Sequence, residues 1–145
     1  MSQTSAQSIV VTTDRSRLDL DMIHGFLTTS YWARGISREV VARSMESSLC
    51  FGAFDEGRQV GFARVISDRA TFAYICDVFT LESHRGNGVG RSLMAAIMSH
   101  PELQGLRRRM LFTRDAHGLY RQFGFGAPAH PERLMEVVDS DPYRE

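Results

Sequence analysis

The sequence contains no lysine, because all seventeen of its basic residues are arginine. A chain without lysine cannot form a Schiff base through a side-chain amine, and it cannot supply the lysine of a nucleotide-binding P-loop. Cysteine is also scarce: Cys50 and Cys76 are too few for a disulfide framework and too far apart in sequence for a zinc site. We therefore expect two reduced core thiols and no metal.

The sequence also lacks an excess of positive charge and a long apolar run. The formal net charge is zero, so no basic face predicts binding to nucleic acid. No apolar run reaches the length of about 18 residues that a membrane span requires, and the first residues lack the apolar core of a signal peptide. We therefore expect a cytoplasmic protein with no nucleic-acid or membrane partner.

Length and composition indicate one globular domain. The 145 residues, 43% hydrophobic and 23% charged, are enough for a single core. We expect one domain over residues 1–145, with residues 1–7 disordered. Hydrophobic periodicity predicts the element order β-α-α-β-β-β-α-β-α-β, with a last strand from about Leu134 to Val138. The single β-α-β crossover predicts an α/β fold of the α+β kind, whose mixed, mostly antiparallel sheet contains one parallel pair.

The stretch from Thr71 to Ser99 is the clearest feature of the sequence. Its first part is an aromatic and β-branched run without glycine or proline, which predicts a buried strand. Its last part has apolar residues at helical spacing and is followed by Pro101, which predicts a helix. Between them lie residues 85–90 (RGNGVG), whose three glycines let backbone N–H groups approach an anion at the positive end of the helix dipole. The stretch therefore predicts a site for a phosphorylated ligand.

Two common phosphate-binding motifs do not fit this loop. A Walker A motif needs lysine followed by serine or threonine, whereas Arg91 and Ser92 follow the last glycine. A dinucleotide-binding fingerprint has a different glycine spacing and lies near the start of a longer α/β chain. A tight strand-to-helix turn without a ligand is the structural alternative.

The pattern that fits is Arg/Gln-x-x-Gly-x-Gly/Ala, which Arg85, Gly88 and Gly90 satisfy. It resembles the pyrophosphate loop of the GNAT superfamily of N-acetyltransferases. Residues 118–125 (GLYRQFGF) are similar to the Leu-Tyr-x-x-x-Gly-Phe segment of that family and follow the loop in the same order. The second half of the chain carries this resemblance in its motifs, and the first half carries it only in the order of its elements.

The resemblance implies a GNAT-type fold, in which the parallel strands splay apart after a bulge and hold acetyl-CoA between them. The splayed edge is expected at residues 77–80, where backbone groups would pair with the pantetheine arm. The implied acetyl-CoA contacts are Val78, Phe79, Thr80, Arg85, Gly86, Asn87, Gly88, Val89, Gly90, Arg91 and Asp115. Thr113 departs from the pattern, because the family often has asparagine there, before the helix that carries the tyrosine.

The chemistry of acetyl transfer suggests two catalytic residues. An amine must lose a proton, the developing oxyanion needs a donor, and the departing thiolate needs an acid. The resemblance places Tyr120 beside the thioester sulfur, and a phenol of pKa about 10 is able to protonate a thiolate whose thiol has a pKa of about 8.5. Asp77 is the candidate base, because it is a charged residue in an otherwise apolar strand. A salt bridge to a neighbour such as Arg64 is the alternative role for Asp77.

The resemblance places acceptor specificity in the loop between the first two helices, which contains Tyr31, Trp32 and Arg34. Aromatic rings beside an arginine suit a flat substrate with a carboxylate, such as an amino acid or a related small metabolite. Packing of Trp32 between helix and sheet is the alternative. Tyr74, where some members carry glutamate, and His117, one helical turn before the tyrosine, complete the candidate substrate residues.

Three functions remain open at this point. A small-molecule N-acetyltransferase is favoured by the intact loop and Tyr120. A protein or peptide N-acetyltransferase would need an acidic groove for a lysine-bearing tail, and no cluster of acids flanks the loop. A non-catalytic acetyl-CoA-binding regulatory module would need no base. Dimers are common in the family, so a homodimer is a candidate assembly, although no residue pattern identifies an interface.

Overall fold

A five-stranded sheet forms the centre of the protein. The computed structural model describes residues 8–143, so the expected disorder of residues 1–7 falls outside the described residues. The strands are β1 (Ile9–Thr12), β2 (Leu49–Asp55), β3 (Arg58–Ser67), β4 (Phe72–Thr80) and β5 (Arg108–Leu111), in that spatial order. Strands β1 to β4 pair antiparallel, whereas β4 and β5 pair parallel. The expected mixed sheet with one parallel pair is confirmed.

Four α-helices within the described residues cover this sheet. They are α1 (Leu20–Leu27), α2 (Arg38–Glu46), α3 (Val89–Ser99) and α4 (His117–Arg121). Side-chain oxygens satisfy otherwise unpaired N–H groups at the first two helix starts: Asp19 accepts from Met22 at 3.1 Å, and Ser37 accepts from Val40 at 3.2 Å. No helix within residues 8–143 is long and apolar enough to cross a membrane.

Two apolar clusters pack on opposite faces of the sheet, because successive side chains of a strand point to alternate sides. Helix α3 buries its apolar stripe against one face, in a cluster that includes Phe51, Ala53, Val65, Ile75, Leu93 and Ile97. Helices α1 and α2 cover the other face, in a cluster that includes Ile23, Leu27, Val41, Cys50, Phe62 and Phe79. Neighbouring residues such as Cys50 and Phe51 thus belong to different clusters.

Strand β4 contains the bulge that the family resemblance implies. Phe79 pairs with Phe62, but Cys76 pairs with Arg64, so β4 has one residue more than β3 across this interval. Asp77, inside the interval, has a φ of 52°, in the left-handed region that non-glycine residues rarely occupy. Pairing between β4 and β5 ends at Ile75, so the two parallel strands separate beside the bulge.

The expected strand from Leu134 to Val138 is wrong. These residues have no regular secondary structure, and Met135 and Val137 are 95% and 105% exposed. An alternating apolar pattern produces a strand only where a neighbouring strand supplies hydrogen bonds and packing, and none within residues 8–143 pairs with this segment.

Gly61 in β3 lies directly beneath Val89, the first residue of α3. A Cβ atom there would lie 2.7 Å from Cγ1 of Val89, 3.1 Å from the carbonyl oxygen of Phe79 and 3.3 Å from Cβ of Ala53. The latter two atoms move only if the sheet moves, so we expect Gly61→Ala to lower the free energy of unfolding by about 1–3 kcal/mol in urea denaturation. Gly25→Ala is the control, because a Cβ in that helical position meets nothing within 4 Å. Equal destabilisation of the two variants would contradict this account.

Candidate active site

The glycine loop between β4 and α3 has the backbone that its sequence predicts. Gly86 and Gly88 have φ angles of 83° and 79°, and Gly88 precedes the first residue of α3 without a side-chain cap. Gly90 has a different role, because a Cβ there would lie 3.2 Å from Cδ2 of Leu119 in α4. The first two glycines thus shape the loop, and the third allows α3 and α4 to pack together.

Charged side chains surround and anchor this loop. Arg85 and Arg91 are exposed and form no ion pair within the described residues, whereas Val89 between them is buried. His84 contacts Asp55 through Nε2 and Oδ2 at 2.9 Å, which ties the loop to the end of β2. The arrangement combines an uncapped helix start with two uncommitted guanidinium groups, which suits an anion.

A cavity of about 460 Å³, here called the reaction cavity, lies where β4 and β5 separate. Three segments line it: the loop after α1, the bulged part of β4, and the chain from the end of β5 into α4. Its lining residues are Tyr31, Trp32, Tyr74, Ile75, Cys76, Asp77, Val78, Phe112, Thr113, Arg114, Asp115, Ala116 and Tyr120.

Tyr120 is buried in the wall of the reaction cavity, with 8% of its surface exposed. Its ring packs edge-to-face against Phe125, with centroids 6.2 Å apart. The hydroxyl forms no hydrogen bond to another side chain within residues 8–143. Burial, followed by the nearby Tyr31 and Asp115, raises the pKa of this phenol above its ordinary value. Tyr120 is therefore a protonated donor at neutral pH, in a place that a ligand can reach.

Asp77 forms the salt bridge that was its alternative role. Its Oδ2 accepts from Nε of Arg64 at 2.9 Å, and its Oδ1 accepts from Nε1 of Trp32 at 2.8 Å. The side chains of Asp77 and Arg64 are only 10% and 16% exposed. Because both carboxylate oxygens are engaged and the charge is neutralised, the geometry favours a positioning role for Asp77 over the role of base.

Tyr31 and Trp32 lie at the cavity, and Trp32 packs between helix and sheet without being a buried plug: its ring centroid lies 6.4 Å from that of Phe26 in α1, and its Nε1 donates to Asp77 in β4. Trp32 is 41% exposed and its ring contacts Tyr31 edge-to-face, with centroids 5.1 Å apart. The guanidinium of Arg114 lies 3.8 Å from the centroid of the Tyr31 ring. This cation–π contact joins two of the segments that line the cavity, the loop after α1 and the loop before α4.

The remaining predicted residues divide between the cavity wall and the surface. Tyr74 lines the cavity, where burial raises the pKa of its hydroxyl. Asp115 is exposed at the cavity edge, and Thr113 accepts from the N–H of Ala116 at 3.0 Å, so it supports the chain entering α4. His117 is exposed and is not among the residues that line the cavity.

Three lining residues have no clear signal in the sequence: Cys76, Phe112 and Arg114. Both cysteines are free thiols, as expected. Burial raises the pKa of Cys50 to about 11 and that of Cys76 to about 12, so both remain neutral and unreactive at neutral pH.

The basic run at residues 107–109 is not part of the glycine loop. Arg108 pairs with Phe72, the first residue of β4, whereas the loop follows Thr80, the last residue of β4, roughly 26 Å away along the strand.

Sequence comparisons agree with this geometry. The sequence model described as acetyltransferase (GNAT) family matches residues 20–125. A protein of Gibberella zeae, provisionally named an acetyltransferase, is 32% identical over 134 aligned residues, which cover 77% of this chain and 75% of that protein.

Solved structures show the same fold. A protein of Xanthomonas campestris pv. campestris, provisionally named an acetyltransferase of the GNAT family, is 52% identical with a TM-score of 0.92, over 94% of this chain and 97% of that one. An acetyltransferase predicted in Clostridium acetobutylicum, solved with acetyl-CoA, is 13% identical with a TM-score of 0.65, over 90% of this chain and 96% of that one. The second likeness shows the fold alone. From the family match and the fold together, this chain belongs to the GNAT family and is an acyltransferase.

Proposed function

We propose that this protein transfers the acetyl group of acetyl-CoA to a primary amine of a small molecule, by direct attack in a ternary complex. The observation that carries the proposal is the Tyr120 hydroxyl, which is protonated, free of hydrogen bonds to described side chains, and located in the reaction cavity. Tyr120 is the proposed general acid for the CoA thiolate.

The residues present fit acetyl-CoA. The open loop at Gly86 and Gly88, with Arg85 and Arg91 beside it, suits the pyrophosphate. On the side of β4 that faces β5, no strand within the described residues pairs beyond Ile75, so the backbone groups of residues 78–80 that point to that side are available to the pantetheine amides. A structural neighbour from Clostridium acetobutylicum was solved with acetyl-CoA, which supports the same ligand here.

The proposed reaction needs no metal and forms no covalent bond between the enzyme and the acetyl group. The amine nitrogen attacks the thioester carbonyl carbon, and the tetrahedral intermediate collapses with cleavage of the C–S bond. Tyr120 gives its proton to the departing thiolate. The amine proton passes to water in the cavity, because both oxygens of Asp77 are engaged. The bulge leaves Asp77 and Val78 outside the regular pairing of β4 with β3. The N–H of Val78 is the proposed donor to the oxyanion.

The cavity favours a small acceptor over a protein. Its volume of about 460 Å³ is that of a small-ligand site, and the contact between Arg114 and Tyr31 narrows its mouth. An extended peptide would need an open groove, which this pair of side chains obstructs.

The experiment that tests the proposal is acetyl-CoA-dependent thiol release across a panel of amines. The panel holds amino acids, polyamines, arylalkylamines, aminoglycosides and a lysine peptide. Turnover with a small amine supports the proposal, and turnover with the peptide alone supports the protein acetyltransferase. Protection against heat by acetyl-CoA without turnover of any amine would favour a binding module. Absence of both would overturn the assignment of the acetyl-CoA site.

A further inference from the structure

The glycine loop has few contacts of its own. The side chains of residues 85–88 form no hydrogen bond and no ion pair among residues 8–143, and Arg85 and Gly86 are exposed. Gly86 and Gly88 have φ angles of 83° and 79°. Because glycine moves between backbone conformations more freely than other residues, these two positions do not hold the loop in place by themselves. The position of the loop therefore depends on the residues that fix its two ends.

The end of the loop that leads into α3 is fixed by packing. Val89, the first residue of α3, is 1% exposed and belongs to the apolar cluster under that helix. It contacts β3 so closely that a Cβ on Gly61 would lie 2.7 Å from Cγ1 of Val89. The helix start is thus held against the sheet without any polar contact.

The end of the loop that follows β4 is fixed by two polar contacts. The N–H of Leu81 donates to the carbonyl oxygen of Val60 in β3 at 2.8 Å. A 3₁₀ turn (Glu82–His84) follows directly. His84 makes the second contact through its side chain and is the last residue before the exposed part of the loop, which begins at Arg85.

The second contact joins His84 to Asp55 and is shielded from water. Nε2 of His84 lies 2.9 Å from Oδ2 of Asp55, and a carboxylate oxygen only accepts, so Nε2 is the donor. The side chains of His84 and Asp55 are 14% and 18% exposed. The other ring nitrogen, Nδ1, lies 2.8 Å from the hydroxyl of Ser83. Both nitrogens are therefore engaged, which fixes the orientation of the ring.

Asp55 stands on a rigid corner of the sheet. It is the last residue of β2 and pairs in register with Ile9 of β1 and Arg58 of β3. The turn from β2 to β3 has only two residues, Glu56 and Gly57, and both have a positive φ, of 51° and 81°. Such turns match the twist of the strands that they join. A bond to Asp55 thus connects the loop to a well-defined part of the sheet.

We propose that the hydrogen bond between His84 and Asp55, here called the tether, positions the glycine loop for the pyrophosphate of acetyl-CoA. The tether holds Arg85 and the N–H groups of residues 86–88 near their bound positions before the ligand arrives, so less conformational freedom is lost on binding. His84 and Asp55 are positioning residues, since neither lines the reaction cavity. This inference rests on the proposed function and adds to it the residues that determine affinity for the phosphate part of the ligand.

Calorimetric titration with acetyl-CoA tests the tether. His84→Ala should raise the Kd by about tenfold, the equivalent of one hydrogen bond. Asp55→Ala should have a similar effect, and the double variant should bind no more weakly than either single variant, because both substitutions remove the same bond. The cycle is needed because Asp55 also belongs to the hairpin, and the melting temperature of each variant shows whether it is folded.

A conservative variant and a matched control separate positioning from general damage. His84→Gln keeps an N–H donor at about the position of Nε2, so its Kd should return close to that of the parent protein. His130→Ala is the control, because His130 contacts Glu132 at 3.8 Å with side chains 55% and 68% exposed. It removes a histidine–carboxylate contact at the surface and should leave the Kd unchanged.

A truncated ligand shows which part of acetyl-CoA the tether serves. S-acetylpantetheine carries the same thioester but no phosphate group. With the amine that the acceptor panel identifies, His84→Ala should lower kcat/KM for acetyl-CoA by about tenfold and change kcat/KM for S-acetylpantetheine by about twofold at most. A structural defect in the reaction cavity would lower both values equally.

The outcomes distinguish this inference from the proposed function. The tether has no positioning role if His84→Ala binds acetyl-CoA as the parent protein does, if the losses in the double variant add, or if both thioesters lose equally. Tenfold weaker binding in His84→Ala that His84→Gln restores, in a protein that acetylates no amine, would support the tether and overturn the proposed transfer. Failure of the parent protein to bind acetyl-CoA would overturn both.

Discussion

Tyr120→Phe is expected to lower kcat by about 10²- to 10⁴-fold, the usual contribution of a general acid. The substitution removes one oxygen atom from a buried ring and keeps the packing against Phe125. Because the hydroxyl acts only when the thiolate departs, the Kd for acetyl-CoA and the melting temperature should stay the same. Stopped-flow thiol release and thermal protection by acetyl-CoA measure these quantities separately.

Tyr74→Phe is the comparison for this experiment, because Tyr74 presents a phenol to the same cavity from β4, whereas Tyr120 presents its own from α4. Its loss should change kcat by a few-fold at most. Equal losses in the two variants would show that cavity polarity matters and that Tyr120 has no special role. The raised pKa of Tyr120 also predicts a pH dependence. Because this pKa lies above the ordinary phenol value of 10, the hydroxyl stays protonated up to that pH, and its ionisation should cause no fall in kcat between neutral pH and pH 10.

Asp77→Ala is expected to lower the free energy of unfolding by about 3–5 kcal/mol, the cost of breaking a buried ion pair from one side. Arg64 would remain 84% enclosed with no carboxylate beside it, and Nε1 of Trp32 would lose its acceptor. Urea denaturation measures the change. Because Trp32 lines the reaction cavity, the KM for the acceptor should also rise.

Two further variants test whether the ion pair of Asp77 with Arg64 stabilises the fold: one breaks an exposed ion pair, and the other replaces both partners of the buried pair. Asp21→Ala breaks the bridge to Arg38, whose side chains are 80% and 57% exposed, so it should cost only about 0–1 kcal/mol. Asp77→Asn combined with Arg64→Met should recover most of the lost stability, because asparagine tolerates the left-handed φ of 52° at this position and no buried charge is left alone. If Asp77→Ala were as mild as Asp21→Ala, the bridge would have no structural role.

Local sequence determined the elements that carry the site. The strand, the glycine loop and α3 are contiguous, and their conformations depend on backbone preferences within about ten residues. The same is true of the segment that presents Tyr120 on a short helix. The fold class and the parallel pair could therefore be predicted from the order of the elements, and the family from the resemblance of two local motifs.

Only the tertiary structure decided the roles of several side chains. Asp77 meets partners 13 and 45 residues away in sequence, and that pairing favours a positioning role over the role of base. The outward direction of His117 and the exposure of residues 134–138 depend likewise on which distant segments lie alongside. Short-range periodicity determines an element and its faces, but a charge, a strand pattern or a loop acquires its partner through long-range packing, which no local pattern encodes.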